Sequence, residues 1–123
     1  MRIWDLQPSV LCRQHLLGEH RELHGLWNII VFGKPGYSRH PETLRWVGKL
    51  HALFDRHDAL VKEMSARGYN HATPLDRRLA TGARRQHARL ISLRAQRQLL
   101  AAKGCDCAVK SPVQSRHTAH RAP

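Results

Sequence analysis

The spacing of apolar residues between positions 12 and 30 constrains the fold more than any other feature of the sequence. At 100° per residue, five residues fall on one narrow stripe of a helix: Cys12, Leu16, Leu23, Trp27 and Ile30. Such a stripe is typical of a helix that packs on a core. The helix is expected to begin near Ser9 and to end at Val31, before the turn residues 33–36.

Two further helices are predicted downstream. Pro41 suits a first helical position and Gly68 a stop, so a long helix is expected over residues 41–67. Its apolar residues recur three or four positions apart: Leu44, Val47, Leu50, Phe54, His57, Val61 and Met64. Ser92 can cap a third helix that ends at Gly104. The fold class predicted is therefore mainly α, with three helices and irregular loops.

The chain has 123 residues, enough for one domain with a modest core. We expect residues 1–108 to form a compact helical domain that starts with an extended segment anchored by Trp4. Residues 109–123 are expected to form a disordered basic tail, because they are largely polar and lack periodicity. No apolar run reaches the roughly 20 residues of a membrane span. We therefore expect a cytoplasmic monomer without a membrane partner.

The charge is strongly basic: 21 Lys and Arg residues stand against 9 Asp and Glu residues, a formal net charge of +12. Residues 77–103 contain eight basic side chains and no acidic one. Such a balance favours a nucleic-acid partner, although a solvated basic surface would look the same. The residues predicted to contact DNA phosphates here are Arg77, Arg78, Arg84 and Arg85.

Beside the apolar stripe, the first helix carries a second face within a further arc of about 120°. This face holds His15, Gly18, Arg21, Glu22 and Gly25. Glycine costs a helix interior roughly 1 kcal/mol relative to alanine. Two glycines on one face therefore suggest that a neighbouring chain segment or a ligand approaches the helix backbone. The simpler interpretation makes the glutamate an exposed residue paired with a nearby arginine.

These residues also carry a family resemblance. The first helix contains the ordered set Gln14-His15-Leu16, Glu19 and Arg21-Glu22-Leu23. The second contains Lys49-Leu50, Leu53, Arg56, Leu60, Glu63 and Arg67-Gly68-Tyr69-Asn70. In order and spacing, both sets resemble the pyrimidine-dimer DNA glycosylase family of the phage endonuclease V type. The resemblance covers roughly the first 70 residues.

The resemblance implies a DNA repair glycosylase with AP lyase activity on damaged pyrimidines in double-stranded DNA. In that family the N-terminal α-amine attacks C1′ of the damaged nucleotide, expels the base and forms an imine that undergoes β-elimination. No metal or organic cofactor is implied, and with DNA as its substrate the protein is expected to be associated with the nucleoid. An α-amine has a pKa of about 7.7 to 8.0 against about 10.4 for lysine, so far more of it is unprotonated at neutral pH.

The resemblance also implies roles for individual residues. Glu22 matches the catalytic glutamate, a general acid or base that stabilises positive charge developing at the sugar. Arg2 matches the arginine next to the terminus, His15 the histidine of the first helix and Arg21 the arginine beside the catalytic glutamate. All three are expected to bind DNA. Arg45 and Lys49 are further candidates for DNA contact.

The chain departs from the family pattern at two positions. Met1 stands where the family has a processed threonine, and the bulky Arg2 that follows disfavours removal of the methionine. The nucleophile would therefore be the α-amine of Met1. Gly25 replaces an expected phosphate-contacting arginine. A rival hypothesis is accordingly a DNA-binding protein of the same fold that has lost catalysis, and a less favoured one is a metal-dependent hydrolase.

No metal site is predicted. His20 and His24 are four residues apart, but neither an HExxH order nor a third ligand accompanies them in the sequence. Cys105 and Cys107 lack a second cysteine pair, so they are interpreted as incidental or as a weak metal contact. The three remaining residues of interest are assigned to the core: Trp27, Trp46 and His57.

Overall fold

The computed structural model describes residues 1–70 and 73–109. Within these ranges it contains four α-helices and no strand: α1 (Arg13–Phe32), α2 (Pro41–Leu44), α3 (Leu50–Ala66) and α4 (Leu93–Ala102). The prediction of a mainly α fold is confirmed. The predicted disordered tail lies outside the described residues except for Val109, which is buried in the core. None of the described helices is long and apolar enough to cross a membrane.

The core forms where α1 packs against α3. Three residues of the predicted α1 stripe, Leu16, Leu23 and Trp27, are almost fully buried. They lie in one cluster with Leu53 and Leu60 of α3. Removing such side chains from water is the main stabilising contribution, at about 25 cal/mol per Å² of apolar surface. The apolar periodicity therefore identified the central contact of the fold.

The predicted second helix is divided in two, which makes four helices instead of three. The chain leaves the helix after α2 and passes Gly48 at a φ of 78°, a left-handed conformation that favours glycine. Leu44 and Val47, expected to face inward, are each 55% exposed. Trp46 is buried instead, where its indole N–H donates to Glu42 Oε1 at 2.9 Å. The assignment of Trp46 to the core is confirmed.

Three arginines hold the extended N-terminal segment against the helices. Arg45 Nη2 donates to the Ile3 carbonyl at 2.8 Å, and Arg56 Nη1 donates to the Leu6 carbonyl at 2.7 Å. Further along, Arg67 Nη2 donates to a third carbonyl, that of Leu11, at 2.6 Å. The predicted Trp4 anchor is confirmed, since only 5% of its surface is exposed. The start of the chain is thus fixed beside α1.

The C-terminal helix α4 completes this support. Ser92 caps it as predicted, accepting a hydrogen bond from the Ala95 amide at 3.0 Å. Gln96 exchanges two hydrogen bonds with Asp5: the Asp5 amide donates to Gln96 Oε1 at 2.8 Å, and Gln96 Nε2 donates to Asp5 Oδ2 at 2.9 Å. Leu99 of this helix is 40% exposed. α4 therefore packs on the first residues of the chain and keeps one leucine at the surface.

Candidate active site

A cleft of about 400 Å³ lies between the N-terminal segment, α1 and the end of α4. Five residues that the sequence identified as candidates line it together: Met1, Arg2, His15, Arg21 and Glu22. The terminal residue reaches the cleft because the arginines described above hold the segment behind it. The α1 residues reach it because they share the helix face next to the buried stripe. Two cations, one carboxylate and the first residue of the chain therefore meet in one open space.

Gly18 forms part of the cleft wall. A Cβ atom built on Gly18 or on Gly25 would meet no heavy atom of the described chain within 4 Å. The sequence suggested that either a neighbouring chain segment or a ligand approaches these glycines. For the described part of the chain, the first explanation is wrong. At Gly18 the absent side chain widens the cleft beside Glu22, which lies one helical turn away.

The two carboxylates that line the cleft differ in their surroundings. Glu19 is buried and accepts two hydrogen bonds from Arg56, with Nε to Oε2 at 2.6 Å and Nη2 to Oε1 at 2.9 Å. The Trp4 amide also donates to Glu19 Oε1, at 3.2 Å. Burial raises the pKa of Glu19, against the opposing effect of the Arg56 charge. Glu22 is exposed, so its carboxylate faces the open cleft.

Aromatic contacts shape the side of the cleft formed by the N-terminal segment. The Arg2 guanidinium lies 5.1 Å from the centre of the Trp4 ring, a cation–π distance. The His15 ring meets Trp4 edge to face, with ring centres 6.1 Å apart. Burial, together with the positive charge of Lys103, lowers the pKa of His15. The imidazole is therefore favoured in its neutral form near pH 7.

Lys103 is a cleft residue that the sequence reasoning did not single out. It follows α4 directly and lines the cleft with Gln14 and Leu99. The available signal was its place as the last basic residue of the acid-free segment 77–103. Nothing in the local sequence indicated that the end of α4 would return to α1. Because a lysine amine can also form an imine, Lys103 is a competing nucleophile to be tested.

The other basic residues proposed from the sequence lie elsewhere. Four are exposed on the connection between α3 and α4 and are not among the residues that line the cleft: Arg77, Arg78, Arg84 and Arg85. One of them, Arg78, pairs with Asp76 at 3.0 Å between Nη2 and Oδ2, on the exposed surface. Lys49 donates to Gln86 Oε1 at 2.7 Å. None of these five basic residues lines the cleft, and two of them, Lys49 and Arg78, are bonded to other side chains.

Arg45, predicted to contact DNA, lies inside the protein. Its guanidinium donates to Glu42 Oε1 at 2.6 Å, to Asp5 Oδ1 at 3.0 Å and to the carbonyls of Ile3 and Ala88. The side chain is only 4% exposed. A guanidinium directed at internal acceptors cannot reach a phosphate without breaking these bonds. We therefore assign Arg45 to the fold and leave it out of the DNA-contacting set.

The fold brings two groups of possible metal ligands together. His57 is buried as expected, but it joins His20 and His24, and its Nε2 lies 3.2 Å from His24 Nε2. The expectation that these two histidines lack a third potential ligand is therefore wrong. The second group contains four residues from both ends of the described chain: Cys12, His15, Cys105 and Cys107. Cys105 and Cys107, interpreted from the sequence as incidental or as a weak metal contact, thus lie beside one further cysteine and a histidine.

Comparison with known proteins gives one match. The model of a family described as pyrimidine dimer DNA glycosylase matches residues 1–77, more than half of the chain. The matched part contains helices α1 to α3 and every cleft residue from Met1 to Glu22. No curated protein and no solved structure matches the chain.

Proposed function

The chain belongs to the pyrimidine dimer DNA glycosylase family, and on that premise we propose that it excises damaged pyrimidines from duplex DNA and cleaves the strand as an AP lyase. The observation that carries the proposal is the shared cleft of Met1 and Glu22. An amine and an exposed carboxylate in one cleft are the two groups that imine chemistry at a sugar carbon requires.

The proposed reaction begins at the α-amine of Met1. Its nitrogen attacks C1′, the glycosidic bond breaks, and the damaged base leaves with the bonding electrons and takes up a proton. Opening of the sugar ring, with a proton delivered to O4′, leaves an imine between the protein and C1′. Loss of a proton from C2′ then expels the 3′ phosphate, and water releases the protein from the sugar. Glu22 carries the protons and stabilises the positive charge of the imine.

The cations at the cleft hold the DNA strand in this proposal. Arg2, Arg21 and Lys103 line the same space as the amine and would contact the phosphates that flank the damaged nucleotide. Reaching C1′ inside a duplex requires the nucleotide to be turned out of the stack, which costs a few kcal/mol and is easier at a damaged base. Charge-assisted phosphate contacts beside the cleft would offset that cost.

The decisive experiment is borohydride trapping on duplex DNA with one abasic site. The unmodified protein should give a covalent adduct, because borohydride reduces the imine. A variant with one glycine added before Met1 should lose the adduct and still bind DNA. The matched control is Lys103→Met, which removes the competing amine and should keep the adduct.

Two outcomes would contradict the proposal. An adduct that survives the added glycine and disappears in Lys103→Met would assign the nucleophile to the lysine. Absence of any adduct despite normal DNA binding would favour the rival hypothesis of a DNA-binding protein without catalysis.

Glu22→Gln tests the role of the Glu22 carboxylate, since this substitution keeps the shape of the side chain and removes its charge. Turnover should fall by about two orders of magnitude or more. DNA binding should be unchanged or tighter, because a negative charge near phosphates is removed. Asp55→Asn, an equivalent change at an exposed position on α3, is the control and should leave turnover intact. Parallel losses of binding and turnover in Glu22→Gln would give this glutamate a structural role.

A further inference from the structure

Four metal-binding side chains converge at the start of α1 although they come from opposite ends of the described chain. Cys12 directly precedes α1 and His15 lies in its first turn, while Cys105 and Cys107 follow α4. Their ligand atoms all lie within 4.8 Å of one another. His15 Nδ1 is 3.1 Å from Cys12 Sγ and 3.4 Å from Cys107 Sγ.

We propose that Cys12, His15, Cys105 and Cys107 form a structural zinc site. Three thiolates and one imidazole are a common ligand set for tetrahedral structural zinc. Zinc bond lengths of about 2.3 Å to sulfur and 2.0 to 2.1 Å to nitrogen place tetrahedral ligand atoms about 3.5 to 3.8 Å apart. His15 Nδ1 is already near that spacing from Cys12 Sγ and Cys107 Sγ, and the other ligand atoms lie within 4.8 Å of one another, so zinc would draw the four atoms closer together.

Backbone hydrogen bonds join the two chain segments that carry the cluster. The Cys12 amide donates to Cys107 Sγ at 3.0 Å, and such N–H bonds to sulfur orient a ligand and stabilise its negative charge. The Ala108 amide donates to the Val10 carbonyl at 2.7 Å, and Val109 is buried in the core. The segment from Cys107 to Val109 is therefore attached to the residues that precede α1 and to the core. This attachment holds the ligands together before a metal binds.

Charge also favours the site. Zinc with three thiolates and a neutral imidazole carries one net negative charge, and the cation Lys103 lies two residues before Cys105. A positive charge near the ligands would offset part of that negative charge.

The site would link the C-terminal part of the chain to the cleft. Cys105 and Cys107 lie outside residues 1–77, the part that matches the family. His15 lines the cleft and also belongs to the cluster, and Lys103 lies two residues before Cys105. Zinc would therefore hold the end of α4, with Lys103, against α1. The inference does not depend on glycosylase activity, because metal content is measured without DNA.

The test is the zinc content of the full chain after purification with zinc and dialysis against a weak chelator. The unmodified protein should retain one zinc per chain, and Cys107→Ser should reduce the retained zinc about tenfold or more. The control is His24→Gln, which alters the separate group formed with His20 and His57 and should leave the zinc content unchanged. Zinc retained by Cys107→Ser but lost by His24→Gln would overturn the proposal and assign the metal to the three histidines.

X-ray absorption at the zinc edge of the unmodified protein provides a test that needs no variant. Three sulfur ligands and one nitrogen ligand are expected. A first shell dominated by nitrogen would overturn the proposal. So would protein that binds no zinc when its thiols are kept reduced.

Discussion

Glu19 and Glu22 lie one turn apart on α1, but their surroundings differ. The same type of side chain therefore has a different role at each position. Glu19 is buried and bonded to Arg56 through both oxygens. Removing one member of such a buried pair typically costs about 3 to 5 kcal/mol, because the other charge is left without compensation. Glu22 is exposed on the cleft wall and forms no such buried ion pair within the described residues. The buried glutamate therefore supports the N-terminal segment, and the exposed one is available for proton transfer.

Gly18 permits a prediction at the same scale, because the space beside it is open. Gly18→Ala should stabilise the fold by about 1 kcal/mol, since alanine is the better helix former. If the sugar-phosphate backbone enters the cleft here, single-turnover cleavage of abasic DNA should fall by about tenfold, equivalent to about 1.4 kcal/mol. Urea denaturation and a cleavage time course measure the two effects.

Gly25→Ala is the matched control for that prediction. Gly25 lies on the same helix with equally open surroundings but does not line the cleft. It should gain the same stability without loss of cleavage. Equal cleavage rates for the two variants would mean that DNA does not approach the helix at Gly18.

At the level of secondary structure, the irregular connection before α4 caps α3. No side chain at Lys49 caps this helix. Instead the His51 amide donates to the Thr81 carbonyl at 2.8 Å, and the Ala52 amide donates to the Ala83 carbonyl at 3.0 Å. Backbone carbonyls thus satisfy N–H groups that every helix start leaves without an internal acceptor. These bonds hold residues 81–83 against the start of α3.

Gly82→Ala should break this cap. Gly82 has a φ of 83°, and a Cβ there would clash with the carbonyl oxygen of Gly48. Backbone atoms cannot move aside as a flexible side chain can, so a decrease of about 3 kcal/mol or more in unfolding free energy is expected. Urea denaturation measures it.

The control is Gly68→Ala, at a φ of 80° with no heavy atom of the described chain near the added carbon. It should cost only about 1 to 2 kcal/mol, the penalty of the left-handed conformation. Similar decreases for both variants would show that the close approach of Gly82 to Gly48 contributes little.

At the scale of the whole molecule, two sets of basic residues are expected to have different effects on DNA binding. Arg2, Arg21 and Lys103 line the cleft, whereas the connection between α3 and α4 carries the four exposed arginines at positions 77, 78, 84 and 85. Charges in the cleft would act on the reacting nucleotide. Charges outside it would add affinity for any duplex, because phosphate contacts position a protein without reading sequence or damage.

The salt dependence of DNA binding tests the outer surface. Each phosphate that an arginine no longer neutralises should reduce the slope of log K against log salt by about 0.9, so replacing all four arginines with alanine should reduce it by about 3 to 4. Affinity should fall equally for damaged and undamaged duplexes. Lys62→Ala, on α3 and away from the cleft lining, is the control. An unchanged slope in the fourfold variant would mean that these arginines are solvated and do not contact DNA phosphates.

Local features could be read from the sequence because their causes are local. The α1 stripe, the end of α1 at Gly33 and the Ser92 cap of α4 each depend on residues within a few positions of one another. Much of the cleft could also be predicted from the sequence. Three of its predicted residues share one face of α1, so their helical spacing already brought them together.

Only the tertiary structure decided which distant residues meet. His57 joins His24 across 33 positions, and Cys107 joins Cys12 across 95. Arg45 turns inward because Asp5 and the Ile3 carbonyl lie behind α2. These contacts depend on where α3 and α4 pack against α1, which is set by burial of the whole core. Spacing along the chain does not show which distant residues become neighbours. The cysteine and histidine groups could therefore be identified only in the folded chain.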